Sequence, residues 1–342
     1  MAHFQIGEGF KWEAAFFCCW VLCWVAVSSN AEGRAVNAST RPKLNRLFYS
    51  HSCPRLEHVV SSTMARHLQQ NIASGAPLLR MFFHDCAVNG CDASVLIDST
   101  PNNTAERDAI PNQTVRGYHI VDDIKSQVEV MCPGIVSCAD IIALASRDAV
   151  VLAGGPTWHV ELGRRDGRIS RADQAGSQLP SSQSTAESLI TQFAALGLTP
   201  RDMATLSGAH TFGRVHCAQV ARRFFGFNST TGYDPLLSDT YATKLRTMCP
   251  QPVDGTSRIP TEPITPDQFD EHYYTAVLQD RGILTSDSSL LVNAKTGRYV
   301  KEYAQNRTVF FERFAAAMLK MGRFGVKLGT EGEIRRVCSA VN

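Results

Sequence analysis

With 342 residues, 44% hydrophobic and 19% charged, the chain can bury a large core in one big domain or two lobes. A formal net charge of +2 is too small to imply a nucleic-acid surface. No internal repeat or low-complexity run stands out, which sets repeat architectures aside.

The N-terminus reads as a targeting segment over residues 1–31. An apolar run (AAFFCCWVLCWVAV) follows Lys11, and Ser29, Asn30 and Ala31 supply small residues for cleavage. The run is short for a membrane span. Glu8 and Glu13 make its flank less basic than usual, so an uncleaved anchor is the alternative to secretion. Cys18, Cys19 and Cys23 fall inside the run and leave Cys53, Cys86, Cys91, Cys132, Cys138, Cys217, Cys249 and Cys338. An even set fits disulfides in an oxidising compartment. Buried thiols or a zinc site are the alternatives, but no C-x-x-C pair appears. Glycosylation triplets at Asn37, Asn102, Asn228 and Asn306 suit a secretory route.

Residues 32–46 are polar and read as a loose arm. A helix is expected over 54–70, with Leu56, Val59, Val60, Met64 and Leu68 on one stripe. A second follows through RMFFHDC and breaks after Cys86 at Asn89-Gly90. Residues 99–113 read as a loop, 116–130 and 137–152 as helices, and 157–183 as irregular. Ser184 and Glu187 suggest a capping box opening a helix that Gly197 stops. Thr199-Pro200 starts the next helix, ending near His210, and Thr265-Pro266 repeats that signal for a helix to Gly282. A last helix spans 307–321, with Phe310, Phe314, Ala317 and Met318 inward. Helix after helix with no convincing strands implies a mainly α protein.

Chemistry concentrates in RMFFHDCAVNGCDAS at 80–94. Arg80 and His84 are four residues apart and project from one helical face. A lone histidine after Phe82-Phe83 is more often a satisfied core residue. A guanidinium beside it changes that reading, because burying the pair costs free energy unless a polar ligand is expected. A base next to a fixed cation is what heterolytic cleavage of a peroxide O–O bond requires.

Separated motifs then appear in order: HSCP at 51–54, LLRMFFHDCAVNGCDAS at 78–94, VSCADI at 136–141, GRRDG at 163–167, LSGAHTFGRVHC at 206–217, TPDQFDEHYY at 265–274 and GILTSD at 282–287. From about Phe48 onward the chain thereby resembles the plant secretory (class III) haem peroxidases, the horseradish-peroxidase-like group. The resemblance implies a mainly α fold, with a distal lobe over about 47–180, a proximal lobe over about 181–342 and a haem between them. It implies a secreted, monomeric enzyme of the extracellular space or cell wall that reduces H2O2 while oxidising phenolic donors by one-electron steps. Cell-wall cross-linking, lignification and oxidative-stress response are the roles it suggests. A wall-binding protein that keeps the fold and has lost catalysis is the rival reading.

Carried over residue by residue, His84 resembles the distal acid–base group, Arg80 its cationic partner, Asn112 the acceptor that orients the imidazole, and Phe83 the aromatic lining the pocket. His210 resembles the haem-iron ligand and Asp287 the carboxylate behind it; without C-x-x-C-H the haem is a non-covalent b type. Two Ca2+ ions are implied. Asp85, Val88, Gly90, Asp92 and Ser94, with Glu106 through water, match the distal site. Thr211, Thr265, Gln268 and Asp270 match the proximal one, where Glu262 replaces the usual aspartate. The resemblance pairs Cys53 with Cys132, Cys86 with Cys91, Cys138 with Cys338 and Cys217 with Cys249. It also gives an ion pair between Asp140 and Arg164, and places the carbonyl of Pro180 at the donor-binding edge. Buried beside His84, the Asn112-Gln113-Thr114 triplet would carry no glycan.

Overall fold

A computed structural model describes residues 43–342. The targeting segment at 1–31, Asn37 and residues 32–42 of the arm lie outside the described residues.

Four long helices come first: α1 Leu56–Gln70, α2 Gly75–Ala87, α3 Tyr118–Met131 and α4 Cys138–Leu152. Short ones follow, α5 Ala172–Gln178, α6 Ala186–Ala195 and α7 Pro200–Ser207. After these come α8 Cys217–Val220, α9 Asp239–Met248, α10 His272–Leu278, α11 Thr285–Val292, α12 Gly297–Gln305 and α13 Arg307–Met321. The only paired strands among the described residues are β1 Arg214–His216 and β2 Arg258–Pro260, antiparallel with Val215 opposite Ile259. The mainly α expectation holds.

The core is organised around α4, buried on every side from Cys138 to Val150, as its apolar sequence requires. It packs against α1, α2 and α3. Its N-terminus is held from two directions. Ser137 caps the Asp140 amide at 3.1 Å, and the Asp166 carboxylate accepts from the amides of Cys138 (3.1 Å) and Ala139 (2.9 Å). Asp140 binds Arg164 Nη1 at 2.8 Å in a buried ion pair. On the other side, α13 turns Phe310, Phe314, Ala317 and Met318 inward and packs against α7. A smaller cluster of Val215, Phe224, Tyr241, Leu245 and Ile259 joins β1, β2 and α9. Disulfides join Cys53–Cys132, Cys86–Cys91, Cys138–Cys338 and Cys217–Cys249.

Three local expectations fail for identifiable reasons. The stretch 157–183 contains α5, a weak helix former stabilised by packing: Ala175 and Leu179 are buried against Ala87, Val88 and Ala109. The cap of α6 is Thr185, whose hydroxyl takes the Ser188 amide, and Glu187 turns away to Asn293 at 2.7 Å, so no capping box forms. Thr265-Pro266 starts no helix. The Thr265 hydroxyl donates to Asp270 Oδ2 (2.7 Å) and its amide to Glu262 (2.6 Å), which bends the chain into a loop, and α10 begins only at His272.

Candidate active site

Helix α2 carries Arg80 and His84 on the same face, as their spacing predicts, and buries His84. Arg80 Nε donates to His84 Nε2 at 3.1 Å. An arginine has no lone pair to offer, so Nε2 is the acceptor and the ring proton sits on Nδ1. Nδ1 faces Asn112 Oδ1 at 2.5 Å. The orientation of Asn112 is fixed by its own amide, which donates to the Glu106 carbonyl at 2.7 Å. Burial, then the neighbouring Arg80 charge, push the His84 pKa down to about 3, against a smaller opposing effect of the Asn112 bond. The imidazole is therefore neutral at ordinary pH, with a lone pair on Nε2. Burial also pulls Arg80 down to about 10, which leaves it a cation. Its Nη1 donates to Thr114 Oγ1 and its Nη2 to the Pro111 carbonyl, both at 2.9 Å. Phe83 sits edge-on to His84 with ring centroids 6.0 Å apart and stacks on Phe193. Asn112 is buried, with both ends of its amide engaged, so the folded chain offers no glycan site there.

Directly after His84 the chain wraps a cradle. Asp85 accepts from the amides of Ala93 (2.9 Å) and Val95 (3.4 Å), and Asp92 from that of Ser94 (3.1 Å). Val88, Gly90, Asp92, Ser94 and Glu106 are all buried here. Gly90 has φ of 122° and lies against Gly325, whose carbonyl oxygen would be 2.3 Å from any added Cβ, so no other residue fits. Ser94 Oγ and both carboxylate oxygens of Glu106 are buried with no hydrogen-bond partner. Burial, then the charge of Asp92, raises the Asp85 pKa to about 8; burial and Asp85 raise that of Glu106 to about 9. The orphaned hard oxygens of Ser94 and Glu106, beside the buried carboxylate of Asp85, fit a cation such as Ca2+. Among the described residues no three His, Cys, Asp or Glu side chains converge to hold a metal unaided, so the cradle needs its hydroxyl and carbonyl donors.

The facing wall is built by the turn after α7. His210 lies in a 3-10 turn with its side chain 41% exposed. Its Nδ1 is 2.9 Å from Asp287 Oδ1, on α11. Burial lowers the His210 pKa, but the charge and hydrogen bond of Asp287 prevail and raise it. Asp287 is buried and also accepts from Tyr273 at 3.0 Å, while its Oδ2 has no partner. The charge of Arg80 is felt at His210, and Gln219 of α8 reaches Thr114, so the two walls meet across one cleft. An exposed imidazole edge backed by a carboxylate suits the axial ligation of a haem iron.

Beside His210, Thr211 Oγ1 donates to Asp270 Oδ1 at 2.9 Å, and Thr265 binds Asp270 Oδ2 and Glu262. Glu262 accepts from the amides of Ile264 (2.5 Å, at Oε1) and Thr265 (2.6 Å, at Oε2), with the Thr265 hydroxyl 3.3 Å from the same Oε2, and its Oε1 keeps a second lone pair. Gln268 closes the turn through its amide to the Thr265 carbonyl at 2.9 Å, with its side chain exposed. Pro180 is half-buried, next to Leu179 in the patch that Phe83 also packs on.

Sequence reasoning missed several supports. Thr114 anchors Arg80, Tyr273 shares Asp287, Lys327 pairs with Asp92 at 2.6 Å, and buried Arg335 donates to the Ala93 carbonyl at 2.7 Å. His272 sits 3.1 Å from Asp270 in the second cradle. Tyr273 and His272 had a local signal, their place in TPDQFDEHYY; the others are made by tertiary contacts.

A base, a fixed cation and a carboxylate-backed histidine across one helical cleft define an oxidoreductase site of the peroxidase type. A family model described as Peroxidase matches residues 60–306, and the chain belongs to the peroxidase family. It is similar to Peroxidase 3 of Arabidopsis thaliana, 47% identical over 88% of this chain and 92% of that protein. It is 42% identical to Peroxidase 5 of Vitis vinifera over 94% and 96% of the two chains. It is 45% identical to Peroxidase 1 of Oryza sativa subsp. japonica over 90% and 95%. The chain is a peroxidase, and membership implies a haem, hydrogen peroxide and a donor substrate.

Proposed function

We propose that this protein is a secreted b-type haem peroxidase of the extracellular space or cell wall that oxidises small phenols, with His84 as its acid–base group. The observation that carries the reading is the state of His84: neutral, its Nδ1 proton held by Asn112, its Nε2 lone pair beside Arg80. In this reading Nε2 takes one proton of hydrogen peroxide and delivers it to the oxygen that departs as water. The Arg80–His84 contact opens as peroxide enters, and the freed guanidinium N–H faces the charge that develops along the O–O bond. Thr114 and Pro111 keep the guanidinium aimed while that bond is exchanged. Phe83 narrows the approach to His84, and the Pro180 carbonyl positions the phenol. A haem held by His210 would supply the redox equivalents, with Asp287 setting the basicity of that ligand.

In the same reading Ca2+ occupies both cradles, the chain is a monomer after loss of residues 1–31, and the two walls belong to lobes over about 47–180 and 181–342. The first cradle acts on catalysis through a short route: the backbone of Glu106 holds Asn112, which holds His84. The test is haem-loaded protein mixed with peroxide and guaiacol. A Soret band with peroxide-dependent oxidation is expected. A Soret band without turnover would instead support the silent wall-binding protein.

A further inference from the structure

Behind His210 the core contains a line of tyrosines. The Tyr273 ring lies 6.1 Å from that of His210, Tyr274 is 4.9 Å from Tyr273, and Tyr303 is 5.1 Å from Tyr274. Tyr299, one helical turn before Tyr303 on α12, stacks on it at 6.2 Å and an angle of 21°. Tyr273, Tyr274 and Tyr303 are fully buried, whereas Tyr299 is partly exposed, with Arg298 over its ring.

Packing alone does not call for these hydroxyls. Phe269, Phe310 and Phe314 fill the same cluster without them, and a buried hydroxyl costs free energy unless bonded. Each buried phenol here has an acceptor. Tyr273 donates to Asp287 at 3.0 Å and Tyr274 to the Ala204 carbonyl at 2.9 Å. Thr205 spends its one proton on the Arg201 carbonyl, so Tyr303 is the donor in their 2.8 Å contact. Phenols are among the few side chains that can lose an electron reversibly, provided the hydroxyl proton has somewhere to shift. Neighbouring rings this close let an electron pass in short steps.

We propose that Tyr273, Tyr274, Tyr303 and Tyr299 relay single electrons from the surface to the His210 wall, so that phenols attached to polymers too large for the cleft are oxidised at Tyr299. The inference rests on the peroxidase reading above. One electron leaves Tyr299 through the other three rings and fills one of the two oxidising equivalents that peroxide leaves in the site, and the Tyr299 phenolic proton goes to solvent. A polymer-bound phenol then gives Tyr299 a hydrogen atom, which restores the tyrosine and leaves a phenoxyl radical on the polymer. One peroxide serves two such events, and the two electrons and two protons end in water. The single tryptophan among the described residues, Trp158, is buried, so it offers no rival surface radical site.

The test treats the holoenzyme with peroxide and a nitroso spin trap and maps the adduct by peptide mass spectrometry. The expected adduct is on Tyr299 and is lost in Tyr303→Phe, although Tyr299 is still present. Oxidation of a phenol-grafted dextran should fall about tenfold in Tyr299→Phe, while guaiacol turnover stays within about twofold. Tyr299→Phe alters only a surface hydroxyl and keeps the ring, so it tests the relay without a folding burden. An adduct confined to other residues, an adduct that persists in Tyr303→Phe, or unchanged dextran oxidation in Tyr299→Phe would overturn the proposal. Failure of the unmodified holoenzyme to oxidise guaiacol would instead overturn the peroxidase reading.

Discussion

The two histidines of the cleft are the same residue put to opposite electrostatic use. His84 is tied by Nδ1 to a neutral amide, buried beside a guanidinium, and held at a pKa of about 3. His210 is tied by Nδ1 to a buried carboxylate, and its pKa is raised. An amide orients a ring and adds no charge; a carboxylate orients it and makes it a stronger electron donor. The partner of Nδ1 thus decides which imidazole stays a free base and which is suited to hold a metal.

The contrast can be broken outright or blurred from either side. His84→Leu removes the base and leaves His210 and Asp287 untouched. The bimolecular reaction with peroxide, followed by stopped-flow absorbance, should slow by about 10²- to 10⁴-fold with haem binding retained. Asp287→Asn gives His210 the kind of partner that His84 has. Its ring becomes a weaker donor, and spectroelectrochemistry should register a higher reduction potential, with activity down by about 10- to 100-fold. Asn112→Asp makes the opposite exchange. In the native site the peroxide reaction should lose rate only as pH falls through about 3, where His84 gains a proton and its lone pair disappears. A carboxylate at 112 favours the imidazolium, so the acid limb should move upward and cut the rate at mildly acidic pH. An unmoved limb would mean that another group controls the profile.

How far this contrast is legible in the sequence differs between its parts. Arg80 and His84 are four apart on a helix with clear periodicity, and the stripe of α13 comes out with the expected residues inward. Asn112 and Asp287 are recognisable only through motif resemblance, because each meets its histidine across a long separation in the chain. Thr265-Pro266 misleads because the bond of the Thr265 hydroxyl to Asp270 and that of its amide to Glu262 are stronger local constraints than a helix start. Helices α9, α11 and α12 carry weak or short patterns, and packing rather than propensity forms them. Thr114 and Arg335 have no sequence signal, since their meaning depends on what folds against them.

The cradle next to His84 sharpens the same comparison at a distance and with the smallest expected effect. Without a cation, Asp85 and Glu106 keep their protons to about pH 8 and 9, whereas in an unfolded chain they ionise near their ordinary values of 3.8 and 4.5. The folded form therefore binds more protons than the unfolded form between those limits. The stability these groups contribute is complete below about pH 4 and is lost as pH rises through 8 to 9. A bound Ca2+ replaces those protons and reverses the trend. Chelated protein should accordingly melt at progressively lower temperature from pH 5 to pH 9, and added Ca2+ should recover more of the melting temperature at pH 8 than at pH 5. Because Glu106 holds Asn112, chelation should also slow the peroxide reaction severalfold while the His210 ligation signature changes little. Equal recovery at both pH values would remove the orphaned oxygens of Glu106 and Ser94 from the cation site. It would leave the Glu106–Asn112 link as packing alone.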